Sequence, residues 1–256
     1  MKKLLFLDVE TTGLNHEDRT CGIAYKCPDE NLEVDLLIKP PLPIKLEASM
    51  TNHIANYMVE DKPSFDEATG PIKTKELIQD SIMVAHNAKF DIQMLQKEGI
   101  IVQDHICTYK VALMLDPTGD RFQRSNLQYL RYFYDIRVKA DAHTAMGDVV
   151  VLEAVFEKMF DEVVKFDGDF DPVTSVDKAI EKMIEVSKLP AKIPRFQFGK
   201  HGPNEDREKG LLITEVASID PGYLQWLKRE KMKEEVLDAD WIYTLDEALK
   251  NAKAPH

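Results

Sequence analysis

Asp8 and Glu10 in FLDVETTGL, Asp91 at the end of VAHNAKFD, and His143 and Asp148 in HTAMGD are the side chains whose types and spacing suit chemistry. A strand alternates its side chains with a period of two, so Asp8 and Glu10 point the same way at the end of a buried apolar run. Carboxylates so placed repel each other, and desolvating them without a partner is costly, so something cationic belongs beside them. Asn87 is a natural N-cap, which sets Asp91 in a first helical turn at the positive end of the dipole. Five residues of helix advance about 500°, leaving His143 and Asp148 about 140° apart, so both serve one site only if His143 lies in the loop before the helix, with Thr144 as its cap. Four negative charges match two divalent cations, and hard carboxylate oxygens suit magnesium or manganese and not zinc. Two such ions roughly 4 Å apart activate a water on one side of a phosphorus and steady the leaving oxygen on the other. His143, with an ordinary pKa near ~6.5, is a fitting general base for that water. Singly, each piece has a plain structural explanation: a solvated strand end, a capping residue, a strand-to-helix turn. Their occurrence in order, each at an element terminus where side chains converge, is what points to a site.

The elements that must position them are legible in outline. Residues 3–9, 22–26 and 33–38 read as an antiparallel meander ended by Pro40–Pro41, and a loop region follows through Pro63. A short helix near 73–79 precedes a buried strand at 81–85, a helix at 88–98 closed by Gly99, and a strand within 100–108. Helices follow at 108–115, 125–134 and 144–163, the last with Val149, Leu152, Val155, Phe156 and Met159 along one face. A meander followed by alternating strands and helices predicts a mixed-sheet α/β domain. DGDFDP (167–172) reads as a linker, and a helix at 175–188 follows it.

Composition narrows the class. The chain has 256 residues and a formal net charge of −12, which argues against a nonspecific nucleic-acid coat but not against an enzyme that meets phosphates through metal ions. No apolar run approaches the ~20 residues of a membrane span. Acids interrupt MKKLLFL before any signal cleavage site, so a cytoplasmic protein is expected. Cys21, Cys27 and Cys107 form no CxxC pair and fit reduced thiols.

DVETTG, HNAKFD and HTAMGD resemble the three motifs of the DEDDh group of 3′–5′ exonucleases, which includes the proofreading subunit of bacterial DNA polymerase III. The resemblance covers about residues 1–165. It implies a ribonuclease H-like fold, a mixed five-stranded sheet flanked by helices. It also implies Asp8, Glu10, Asp91 and Asp148 as ligands of two Mg²⁺ ions (with Mn²⁺ able to substitute) and His143 as base. TNHI (51–54) places His53 as a nucleotide-pocket residue. Thr11, Thr12 and Gly13 are expected to bring backbone near the 3′-terminal sugar, Leu14 to pack on the terminal base, Asn87 to brace the site and Phe90 to pack behind it.

RFQFGK (195–200) with ITEVASIDPGYLQWL (213–227) resembles the small C-terminal domain of exodeoxyribonuclease X-type members, although GPNEDRE (202–208) expands the turn between them. The strand after the first motif, CGIAYKC, also lacks a glutamate often found there. The expected organisation is an exonuclease domain at 1–165, a linker and helix at 166–190, and a small α/β accessory domain at 191–256. Residues 188–233 hold ten Lys or Arg against six Asp or Glu. There Tyr223, Leu224, Trp226 and Leu227 sit beside Lys228, Arg229, Lys231 and Lys233, which reads equally as a small core with a basic helix end or as a nucleic-acid contact. The implied substrate is the 3′ end of DNA, single-stranded or duplex, with replication or repair proteins as partners and no membrane. The alternatives are an exoribonuclease acting on RNA or short oligonucleotides, and a catalytically silent binding subunit.

Overall fold

The computed structural model describes residues 2–140, 144–166, 172–234 and 237–252. The chain divides into two compact units, Met1–Tyr109 with Asn126–Ile184, and Lys110–Ser125 with Glu185–His256. This partition departs from the linear one expected from sequence. Lys110–Ser125 groups with the C-terminal residues, and most of the helix after the expected linker groups with the first unit. The linker itself, 167–172, lies almost wholly outside the described residues.

The first unit is built on five strands: β1 (Leu4–Thr11), β2 (Thr20–Cys27), β3 (Leu32–Leu37), β4 (Ile82–Ala85) and β5 (Asp104–Cys107). Their spatial order is β3-β2-β1-β4-β5, antiparallel across β3-β2-β1 and parallel across β1-β4-β5. The mixed five-stranded sheet expected from sequence is therefore present. Its helices are α1 (Leu46–Asn52), α2 (Asn56–Val59), α3 (Phe65–Thr69), α4 (Thr74–Asp80), α5 (Lys89–Lys97), the start of α6 (Thr108–Leu115), α7 (Leu127–Phe133), α8 (Ala145–Phe166) and most of α9 (Pro172–Lys188). The stretch through Pro63 is not simply loop: α1 and α2 form there, because the prolines at 40, 41 and 43 stop a strand and do not interrupt residues 46–59.

Alternation along β1 sorts its side chains. Leu5, Leu7 and Val9 are buried in a core with Ile78, Met94 and Leu95. Phe6, on the opposite face, meets Phe156 of α8 edge-on with ring centroids 5.3 Å apart. Lys26 of β2 reaches Glu153 of α8 at 2.6 Å and fixes the same helix from its flank. These contacts decide where α8 begins. From Phe156 back to Asp148 is eight residues, about 12 Å of helix, and from Phe6 forward to Glu10 is four residues, about 13 Å of strand. The N-terminus of α8 therefore arrives over the end of β1, on the face that carries Asp8 and Glu10.

In the second unit the described helices are the end of α6, the last turn of α9, α10 (Ile213–Ile219), α11 (Pro221–Lys231) and α12 (Ala239–Asn251). Asp220 and Asp238 cap α11 and α12 by accepting from Tyr223 N–H and Trp241 N–H. Among the described residues this unit has only the isolated bridges Arg195–Leu212 and Asn204–Arg207, so the α/β accessory domain expected from sequence is corrected to a helical one. Its centre is Phe196, Ile213, Val216, Leu224 and Leu245, all buried. Among the described residues no helix is long and apolar enough to cross a membrane.

Phe156 is buried at 4% exposure and is the contact that sets α8 on the sheet. Phe156→Ala is expected to lower unfolding free energy by about 3–5 kcal/mol, read from urea denaturation.

Candidate active site

The end of β1 is arranged to admit side chains. β4 pairs with β1 only from Leu4 to Phe6, so beyond that point one flank of β1 is open. The Val9 N–H on this stretch donates to Asp91 Oδ1 at 3.2 Å. On the other flank Glu10 stands opposite Gly22, and the pairing shifts register immediately afterwards. A Cβ at Gly22 would lie 3.3 Å from that of Glu10, so glycine leaves the glutamate its room.

Asp91 sits in the first turn of α5, as the sequence suggested, but not by the expected route. Asn87 is not the N-cap: it adopts a left-handed conformation with φ of 62°, and α5 starts from Ala88 with no side-chain cap. Asparagine tolerates that region better than most residues, and here it turns the chain from β4 into the helix. Asn87 itself is exposed. Thr144 does cap α8, its hydroxyl accepting from Gly147 N–H at 3.2 Å and its carbonyl from Asp148 N–H at 2.9 Å. Asp148 thus enters on the first turn of α8 and accepts from Gln128 Nε2 at 2.9 Å. His143 lies outside the described residues.

The four carboxylates feel one another. Burial, then the charges of Asp91, Glu10 and Asp148, push Asp8 well above the usual carboxylate range. Burial, then Asp148 and Asp91, push Glu10 up to about 8, against a hydrogen bond from Asn52 that favours the ionised form. Burial pushes Asp91 up to about 7, opposed by the Val9 N–H. The structure thus brings Asp8, Glu10, Asp91 and Asp148 into one electrostatic cluster. Lys45, which lines the adjacent cavity, is committed to Asp18 at 2.7 Å and Glu17 at 3.1 Å and does not answer that charge. No three of the described His, Cys, Asp or Glu side chains are spaced as the ligands of a single ion. Oxygen donors, burial and mutual repulsion make these residues a fitting place for divalent cations.

Beside the cluster lies a cavity of about 470 Å³, walled by Glu10, Thr11, Gly13, Leu14, Phe90 and, from α1, Ala48, Thr51 and Asn52. Its size falls within the ~300–1,000 Å³ of small-molecule pockets. Leu14 is 81% exposed at the rim, and Phe90 joins the cavity wall to the core behind it. His53 is exposed at the left-handed C-cap of α1 and does not line the cavity, whereas its neighbour Asn52 does. Thr12 is fully buried and donates to Asp18 Oδ1 at 2.8 Å.

Sequence reasoning passed over four residues. Asp18, with no exposed surface, accepts from Thr12, Asn15 N–H and Lys45 and so closes the base of the loop that carries Leu14. A Cβ at Gly13 would meet Asp18 Oδ2 at 2.5 Å, which is why that position is glycine. Lys45 completes the closure. Asn52 ties α1 to β1 through Thr11 O at 3.1 Å, and Gln128 holds Asp148. Nothing in the sequence distinguishes Asp18 from Glu17 beside it; a polar residue shortly before a hydrophobic helix was the only signal for Asn52.

An exonuclease family model (RNase_T) matches residues 5–156. Exodeoxyribonuclease 10 of Escherichia coli strain K12 is 27% identical over 195 residues, covering 75% of this chain and 74% of that protein. The DNA polymerase III subunit epsilon of Treponema pallidum strain Nichols is 32% identical over 171 residues, covering 63% of this chain and 78% of that protein. Among solved structures, Exonuclease X in complex with 5′ overhanging duplex DNA shares the fold, with a TM-score of 0.55, 23% identity, and coverage of 72% of this chain and 99% of that one. The chain belongs to the exonuclease family and is a 3′–5′ exonuclease. Enzymes of this type use divalent metal ions.

The carboxyls give a signed pH dependence. Because Glu10 and Asp91 titrate at about 8 and about 7 when folded, the folded state keeps protons that the unfolded chain releases near ~4. Without metal, stability is therefore greatest at low pH within that window and falls as pH rises from about 4 to about 8. Thermal melts in chelator should show this fall, and Mg²⁺ or Mn²⁺ should reverse it, strongly at pH 8 and weakly at pH 5. An equal metal-induced rise at both pH values would contradict the electrostatic account.

Proposed function

We propose that this chain is a Mg²⁺-dependent 3′–5′ exodeoxyribonuclease that hydrolyses the terminal phosphodiester of a DNA 3′ end and releases a nucleoside 5′-monophosphate. The observation that carries the reading is the mutual repulsion of Asp8, Glu10, Asp91 and Asp148 beside a cavity sized for a small ligand. Two divalent ions bound by these carboxylates would supply positive charge at the attacking and departing oxygens of the phosphodiester. The rest falls to the protein. Asp8 and Glu10 project from a rigid strand, Asp91 is oriented by the Val9 N–H, and Asp148 by Gln128, so the donor set is held before substrate arrives. The walls from Thr11 to Leu14 and from Ala48 to Asn52 would receive the terminal nucleotide, with Leu14 against its base and Phe90 supporting the floor. His143, placed by sequence just before α8, would take the proton of the attacking water, the P–O3′ bond breaking as the new P–O bond forms.

DNA as substrate is supported by the names of the relatives, an exodeoxyribonuclease and a replicative polymerase subunit, and by the duplex DNA held in the structural neighbour. The same names favour a role in repair or proofreading during replication, in the cytoplasm. A time course on 5′-labelled single-stranded, blunt and 3′-recessed DNA, with matched RNA and with and without Mg²⁺, tests polarity, substrate and metal together. The expected result is shortening from the 3′ end of DNA in Mg²⁺ only; faster loss of RNA would replace the substrate, and shortening in chelator would remove the mechanism. Asp8→Ala and Asp148→Ala should each abolish hydrolysis and leave the circular dichroism spectrum unchanged. His143→Ala should cut turnover by roughly 10²–10⁴.

A further inference from the structure

Leu14 stands at the cavity rim with most of its surface in solvent, so its own packing cannot fix it, and the backbone of residues 12–19 must. At the base of this loop Thr12 N–H donates to Arg19 O at 2.9 Å, and Arg19 N–H to Thr12 Oγ1 at 3.1 Å. Nearer the tip, Asp18 N–H donates to Asn15 O at 3.1 Å, and Asn15 N–H to Asp18 Oδ2 at 2.8 Å. These bonds give the loop its shape. They do not decide where it stands relative to the acid cluster.

Two side chains at the far end of α5 supply that reference. Lys97, in the last turn, donates from Nζ to Asp18 O at 3.0 Å and to Asn15 O at 3.3 Å. Glu98, the C-cap, takes the Arg19 guanidinium through both oxygens, Nε to Oε1 at 2.9 Å and Nη2 to Oε2 at 2.7 Å. Arg19 Nη2 also donates to Lys97 O at 3.2 Å. The Glu98 side chain is buried, and a two-point contact of this kind fixes orientation as well as distance. A surface loop is ordinarily the mobile part of a fold; this one is bonded repeatedly to the end of one helix. That helix carries Asp91 in its first turn, six residues or about 9 Å of axis from Lys97. Lys45, from which α1 starts, adds its bond to Asp18 at 2.7 Å, so the loop is tied to both helices that contribute to the cavity wall. Lys97 and Glu98 are not themselves part of that wall.

We infer that Lys97 and Glu98, with Arg19, are positioning residues for the terminal nucleoside. Through α5 they lock the Leu14 loop to the element that delivers Asp91, so a nucleoside seated against Leu14 brings its phosphate to the acids. The inference rests on the hydrolytic reading of the cluster and adds to it residues that act through others. A tie that only stabilised the fold would have no preference among substrates; one that places Leu14 matters only when the substrate has a nucleoside for Leu14 to meet.

The p-nitrophenyl ester of thymidine 5′-monophosphate and bis(p-nitrophenyl) phosphate offer the same leaving group with and without a nucleoside. Lys97→Met keeps the stem of a half-buried side chain and removes its donors, and Glu98→Gln keeps the shape and removes the charge. In Mg²⁺ both variants of the full chain should lose up to about 10² in kcat/KM on the thymidine ester, the scale of a misplacement of about 1 Å, chiefly through a higher KM. Bis(p-nitrophenyl) phosphate should be cleaved as by the wild type, and Lys97→Arg should restore the thymidine ester. Hydrogen exchange in chelator, followed by mass spectrometry, should show peptides over residues 13–19 exchanging faster in both variants. A proportional loss on both esters, an unchanged KM for the thymidine ester, or unchanged exchange over 13–19 would each overturn the inference. Wild-type protein that cleaves neither ester would instead strike the hydrolytic assignment, and the exchange measurement would still read the tie between α5 and the loop.

Discussion

Like charges that the fold forces together govern this molecule. Asp8 and Glu10 are adjacent on one strand face by period alone, and Asp91 and Asp148 are delivered to them by two helices whose first turns point at the strand end. Each carboxyl raises the energy of ionising its neighbours, and burial raises it further. A folded protein tolerates such a cluster in two ways, by keeping protons on it or by filling it with cations, and the second is what phosphodiester chemistry needs. The remainder of the first unit can be understood as the scaffold that holds this repulsion in place.

Three devices do the holding. The Phe6–Phe156 contact and the Lys26–Glu153 ion pair fix the long helix along the sheet, so that its first turn cannot retreat from Glu10. The early end of β4 frees the Val9 N–H, which orients Asp91. The buried Asp18, with Thr12 and Lys45, closes the loop from which Leu14 projects. The last of these gives the cavity a firm wall next to a charged floor, and its cost in burying a carboxylate is met by three donors.

The second unit follows a different logic. Its core is assembled from rings of which the outermost, Phe198 and Trp226, remain in solvent, with Lys200 beside the Tyr223 ring between them. The helical caps Asp220 and Asp238 set α11 and α12 so that Tyr223, Trp226 and Trp241 fall into one ring system. Asp220 serves both as a cap and as the partner of Lys200 and His201, which links the FGK turn to α11.

The sequence by itself determined the acids, the elements that carry them, the α/β class of the first unit and the family likeness, because these rest on local periodicity, capping and motif order. Even there, Asn87 shows the limit: its type fitted a cap, but a left-handed backbone position also favours asparagine, and only the fold chose between the two. The left-handed cap position of His53 and the bond from Thr12 to the buried Asp18 were likewise not announced by residue type or order. What only the tertiary structure decided was the helical character of the C-terminal unit, the assignment of Lys110–Ser125 to it, and the roles of Asp18, Asn52 and Gln128. Those depend on contacts between residues far apart in the chain, and a single sequence records side-chain types in order without recording which of them meet.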